Sequence, residues 1–153
     1  MNRDEILGQL RAAKAAHISW VQRAKMLIEG FSINESSIPV NSTECEFGKW
    51  FYSDGQRLND IRNNPVSAMN EIEDLHFKLH DIYMNIFKIY YDTEKKGFFS
   101  KMFGKKKKVN DEDKATAKKF FVEMEGVSKE LVQALNTMER RINVVNGGEI
   151  DAI

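Results

Sequence analysis

The chain has 153 residues, 42% of them hydrophobic and 30% charged, with 23 basic and 23 acidic side chains giving a formal net charge of zero. This is ordinary single-domain length, and the balanced charge offers no general electrostatic case for nucleic-acid binding. No apolar run approaches the roughly 20 residues that span a bilayer, the N-terminus MNRDEILGQLRAAK lacks the apolar core of a secretory signal, and a lone cysteine excludes an internal disulfide framework, so a cytoplasmic protein is expected.

From the N-terminus, Ile6, Leu10, Ala13, His17, Trp20, Ala24, Leu27 and Phe31 follow alternating steps of three and four, the inward stripe of a long amphipathic helix. His17 therefore faces the core. The following GFSINESSIPVNST has the Gly, Pro, Asn and Ser density of a loop, with Gly30 placed where a helix can end. Thr43 with Glu46 resembles a capping box, which starts a second helix at about Glu44 and sets Cys45 in its first turn. There the free N–H groups and the positive end of the helix dipole favour a thiolate. This second helix carries Phe47, Trp50, Phe51, Leu58 and Ile61 and ends near Asn63-Asn64-Pro65, because proline disfavours a helical residue before it. Gly48 either allows close approach to a neighbouring segment or is incidental.

A third helix is expected from about Pro65 to Asp92, with Met69, Ile72, His76, Leu79, Tyr83, Phe87 and Tyr90 inward and His80 bordering the stripe. The lysine-rich stretch at about 93–112, which includes the 95–108 segment, then breaks the pattern. We read it as a solvated loop with Phe98, Phe99 and Met102 tucked onto the protein, in preference to a contact with an anionic membrane surface or an acidic partner. The last helix, about Asp113 to Val145, turns Phe120, Met124, Val127, Leu131, Leu135, Met138, Ile142 and Val145 inward. Four helices with one apolar face each predict an all-α, antiparallel four-helix bundle, an architecture whose facing side chains commonly build metal sites.

The chemistry-bearing residues are few. In LHFKLH, His76 and His80 stand four apart, one above the other on a helix face, so both imidazoles can reach one ion. With His17 and Cys45 they make up every histidine and cysteine of the chain. Three imidazoles and a thiolate fill a tetrahedral Zn2+ without a water ligand, whereas a catalytic zinc keeps a position open. Such a closed site argues for regulation or structure and against an enzyme. An iron-carboxylate bundle would need more histidines together with carboxylates on several helices, and the donor set here suits zinc better. Trp20 and Trp50 are read as aromatics packed around the site.

The segments AHISW, CEFGKWF and HFKLH, in that order, resemble the chemoreceptor zinc-binding domain, CZB: a histidine three before an aromatic, then CxxGxW, then HxxxH. The form is most similar to the domain at the N-terminus of a zinc-regulated diguanylate cyclase. The resemblance implies zinc held by His17, Cys45, His76 and His80, a helical bundle that is often dimeric in that cyclase, and a sensory role in chemotaxis or cyclic-di-GMP signalling in a bacterium. The motif core spans residues 17–80, and the whole chain, 1–153, is expected to be a single stand-alone domain. NGGEI near the C-terminus resembles a cyclase signature only superficially, since too few residues follow for a catalytic domain. Output is then expected through a homodimer or a separate chemoreceptor or cyclase partner, with zinc availability or oxidation of Cys45, for example by hypochlorous acid, as the signal. The competing expectation is a zinc that only stabilises the fold.

Overall fold

The structure is a computed structural model, and it describes residues 1–34, 39–61, 66–91 and 106–153, with backbone alone for Val66 and Ser67. Among the described residues it is mostly helical and contains no strand; the one bridge pairs Tyr91 with Lys106 in antiparallel fashion. The helices are α1 (Arg3–Ile28), α2 (Glu46–Phe51), α3 (Val66–Tyr90), α4 (Asp111–Val144) and α5 (Gly147–Asp151), with a 3₁₀ segment at Asp54–Asp60.

Helix α1 starts at Asn2, whose side chain accepts from the Glu5 amide while the Glu5 carboxylate accepts from the Asn2 amide, a reciprocal pair that satisfies two otherwise free donors. It ends where expected. Gly30 takes φ +90°, its amide donates to Leu27 O and the Phe31 amide donates to Met26 O, a left-handed C-terminal cap that suits a residue without Cβ. The stripe from Ile6 to Leu27 is buried as the periodicity requires, whereas Phe31, beyond the helix end, is 56% exposed. Helix α4 begins at Asn110 with the same reciprocal capping, its partner being Asp113. It turns Met124, Val127, Leu131, Leu135, Met138 and Ile142 inward, while Phe120 and Val145 are only partly covered. The short α5, capped by Asn146, was not anticipated from periodicity because it is shorter than two turns.

The second helix differs most from expectation. Instead of one helix from about Glu44 to Asn63, the chain forms six residues of α-helix, a turn and a 3₁₀ segment. The reason lies at Ser53 and Gln56. Ser53 Oγ donates to Lys49 O and Trp50 O, and Gln56 Nε2 donates to Phe51 O, so side chains take the carbonyls that a longer helix would have used. The apolar residues expected of that helix are still placed inward: Phe47, Phe51, Leu58 and Ile61 are buried and Trp50 is half-buried. The third helix follows its expected course, with Met69, Ile72, Leu79, Tyr83, Phe87 and Tyr90 buried. Pro65, its expected start, lies outside the described residues, as do residues 92–105, and with them the proposed packing of Phe98, Phe99 and Met102. Lys106, Lys107 and Lys108 are described and exposed.

Helix α4 packs along both α1 and α3, while α2 rests on α1. Polar ties hold α1 against α4 at their rims. Arg11 and Lys14 both reach the Glu139 carboxylate, at 2.7 and 2.6 Å, and the Arg3 guanidinium donates to the Val145 carbonyl. The paired cations hold the Glu139 carboxyl below its ordinary pKa. Lys14 and Glu139 are partly buried and Arg11 is exposed, so the Arg11 contact contributes little to stability. The apolar contact along α4 therefore leaves the facing sides of α1 and α3 for α2 to close from above, and it is there that the polar residues of the core meet.

Candidate metal centre

Five polar residues are buried among those described: His17, Ser42, His76, His80 and Ser128. Three of them are the histidines, at 3%, 0% and 4% exposure, an unusual expenditure of polarity in an apolar core unless something binds them. Helix α1 supplies His17, α3 supplies His76 and His80 one turn apart, and the start of α2 supplies Cys45. One ligand atom from each of the four lies within 4.8 Å of every other. A tetrahedral zinc with ordinary bond lengths sets its donors about 3.3–3.6 Å apart, so the group needs to contract only by about an ångström to meet it. His76 Nε2 already stands 3.3 Å from Cys45 Sγ. Helix α4 contributes no donor to this group.

Residues 17–87 match the family model of CZB, the chemoreceptor zinc-binding domain. The matched CZB segment runs from the first of the four donors to beyond the last, and so contains the whole group. No curated protein and no solved structure matches the chain.

The surroundings of each donor in the CZB segment fix which atoms face inward. His17 Nδ1 lies 2.6 Å from Ala13 O and His80 Nδ1 lies 2.7 Å from Val40 O. Each Nδ1–H donates to its carbonyl, which leaves Nε2 as the lone-pair nitrogen; this is the usual orienting partner of a metal-bound histidine. His80 Nε2 is buried with no hydrogen-bond partner among the described residues, an orphan that a cation would satisfy. His76 Nδ1 also lacks a partner, so that ring is oriented by packing and by the contact of its Nε2 with Cys45 Sγ. It stands edge-on to Phe47, His17 and His80, with centroids 5.1, 4.7 and 4.6 Å away. Trp20 closes the other side of His80 at 4.5 Å, the role expected of it, while Trp50 packs on Phe47.

Cys45 is not in the first turn of α2 but is its N-cap, and the Thr43–Glu46 capping box is replaced by the cysteine itself. Its Sγ accepts from the Gly48 amide at 3.2 Å and lies 3.5 Å from Ser42 O. Burial raises the thiol pKa above its ordinary value, against the lowering effect of the Gly48 and Phe47 amides and of Lys49. The helix start alone therefore does not make a thiolate. A cation at the centre would supply the missing charge, and its binding would release the thiol proton. All three imidazoles are shifted the other way. Burial, opposed by the Ala13 carbonyl and helped by His80, lowers His17 to about 4, and burial with its two histidine neighbours lowers His76 to about 2. His80 is also lowered, chiefly by burial, with the Val40 carbonyl opposing. Neutral imidazoles with free lone pairs are the form a metal needs.

Gly48 is the residue whose role the sequence left open. A Cβ built there would stand 1.7 Å from Ser42 O and 2.8 Å from Ser42 C, so the loop before α2 runs across this glycine in direct contact. That contact holds the Gly48 amide, Ser42 and Cys45 Sγ together. Gly48→Ala is expected to destabilise the fold by about 3 kcal/mol or more, the upper end for overpacking, because the obstructing atoms are backbone. Urea unfolding measures this; a change below about 0.5 kcal/mol, the size of an ordinary surface substitution, would show that the loop yields freely. The Ala13 and Val40 carbonyls also escaped sequence reading. Ala13 is four residues before His17 on the same helix and was accessible in principle, whereas Val40 reaches His80 only through the fold.

Proposed function

We propose that the protein is a zinc-binding sensory or regulatory protein that modulates chemotaxis or cyclic-di-GMP signalling, with Zn2+ bound by His17, Cys45, His76 and His80. The observation that carries the reading is the convergence of three buried neutral imidazoles and one thiol, without a carboxylate, between three helices. The donor set matches zinc by softness and number, and it leaves no coordination site for a substrate, so we propose no catalytic activity for the chain. The zinc would supply a cation that joins α1, α2 and α3. The chain's own residues hold the imidazoles in one tautomer through Ala13 and Val40 and present the thiol on the Gly48 amide.

The signal in this reading is occupancy of the site, altered by free zinc or by oxidation of Cys45 to a sulfenic acid that ligates poorly. Cys45 is the only one of the four donors that is not buried, which supports it as the labile point. Loss of the ion would leave the histidines facing an apolar core and loosen α2, the short helix that Cys45 caps. We further propose an antiparallel four-helix bundle in which α2 and the 3₁₀ segment make the fourth member, a homodimer, and a cytoplasmic location with a chemoreceptor or cyclase as partner. No described helix is long and apolar enough to cross a membrane.

Metal content per chain, measured by mass spectrometry on protein purified without added metal, tests the reading before and after hypochlorous acid. One zinc per chain, released by oxidant, is the expected result. Zinc retained through oxidation would leave free zinc or fold stabilisation as the role of the site, and no zinc in any sample would refute the ligand assignment.

A further inference from the structure

The metal centre is approached by two depressions in the surface. One is a cleft of about 230 Å³ between α1 and α2, walled by Gln9, Ala12, Ala16, Trp20 and Glu46 and reaching Cys45. The other is a wider groove of about 700 Å³ over α3, lined by Val40, Ser42, Phe77 and Met84 and reaching His80. They are not equivalent. From the groove the only donor met is His80, which is 4% exposed, has its Nδ1 committed to Val40 O and keeps its Nε2 fully buried. From the cleft two donors are met, His17, which is 3% exposed, and Cys45, which is only partly covered and so the more accessible of the two. Ala12 and Ala16 stand one turn apart on an exposed part of α1, so between Gln9 and Trp20 that wall carries only methyl groups at its exposed positions. Trp20 and Phe47 are buried and form its floor.

We infer that the α1–α2 cleft is the port through which small reagents reach the site, kept open by Ala12 and Ala16, and that Cys45 is the atom they meet first. This rests on the proposed zinc centre only for its biological meaning. Access to the thiol is a property of the metal-free chain as well. A port changes how fast the site reacts and leaves its occupancy at equilibrium unchanged, which separates it from a role in holding the fold.

The test is the rate of alkylation of the metal-free chain by N-ethylmaleimide, in which Cys45 Sγ adds to the maleimide double bond and a proton ends on the neighbouring carbon. Ala16→Leu and, separately, Ala12→Leu place a branched side chain over the cleft on an exposed helical face, where leucine is well tolerated. Each should slow the reaction by about tenfold, because the thiol is then reached only through local opening, while Ala16→Ser and the groove-filling Met84→Trp should stay within about twofold of wild type. Zinc content after equilibration should be the same in wild type, Ala16→Leu and Ala12→Leu. Wild-type rates in both leucine variants, or equal slowing by Met84→Trp, would overturn the port. Absence of zinc from the wild-type chain would refute the metal reading and leave the alkylation rates to decide the port by themselves.

Discussion

Saturating zinc is expected to raise the thermal midpoint of the protein by about 8–16 °C, and His76→Ala or Cys45→Ala should abolish most of that gain. The figure follows from mass action: free zinc a thousandfold above Kd adds about 4.1 kcal/mol to the folded state, and a chain of this size shifts by about 2–4 °C per kcal/mol. His76 is the most telling of the four positions. It is fully buried, stands 3.3 Å from the thiol through Nε2, and has no carbonyl on Nδ1, so the ring has no hydrogen-bonded role among the described residues beyond the cluster itself. Removing it therefore takes away a donor without cutting a tie to the backbone. Differential scanning calorimetry with and without zinc reads the effect. An equal zinc-dependent shift in wild type and His76→Ala would mean that the ion binds elsewhere.

Acid should unfold the metal-free chain well before it reaches pH 4. In the unfolded chain all three histidines titrate near 6.5, whereas in the folded chain burial keeps His17 neutral to about 4, His76 to about 2, and lowers His80 as well. The folded values are the depressed ones, so the full stability is present above pH 6.5 and is lost progressively as pH falls through that window. With the His17 and His76 protons taken up only by the unfolded chain, the slope approaches about 2.7 kcal/mol per pH unit, and the lowered His80 acts in the same direction, against a total of about 5–15 kcal/mol for a domain. Far-UV circular dichroism from pH 7 to 4 measures the transition. His76→Phe, which removes one of the three titrating groups while filling the space, should move the midpoint to lower pH. A metal-free chain whose helical signal and urea midpoint are constant across that range would show that the imidazoles are not held neutral by burial.

The two expectations are linked by one physical circumstance. The centre costs stability when empty and returns it when filled, because the same three rings are either unpaired polar groups in an apolar core or the ligands of a cation. Under the proposed function, a change in zinc or in the state of Cys45 would be transmitted to α1, α2 and α3 together, the elements that carry or adjoin the candidate donors. Since α2 is only six residues long and is anchored by Cys45, Phe47 and the Gly48 contact, it is the part of the molecule whose position depends most on the centre.

The sequence by itself determined the three long helices and pointed to the candidate donors. Apolar spacing of three and four is a local signal, carried by Ile6 to Leu27, Met69 to Tyr90 and Met124 to Ile142, and it places His17 and His76 on buried stripes whatever the helices pack against. The spacing of His76 and His80 is likewise a property of a single helix. Whether α2 continues past Phe51 is local as well, since Ser53 and Gln56 take its carbonyls, but periodicity does not register that competition. Only the tertiary structure decided the rest. That Gly48 is required depends on the Ser42 backbone crossing it, and that His80 keeps one tautomer depends on Val40, forty positions away in the chain. The accessibility of Cys45 from the α1–α2 cleft is also tertiary, since it is set by which side chains of another helix stand over it. The donors of a metal centre are chemical and can be read from a chain, whereas their orientation and exposure arise from segments that meet only when the chain has folded.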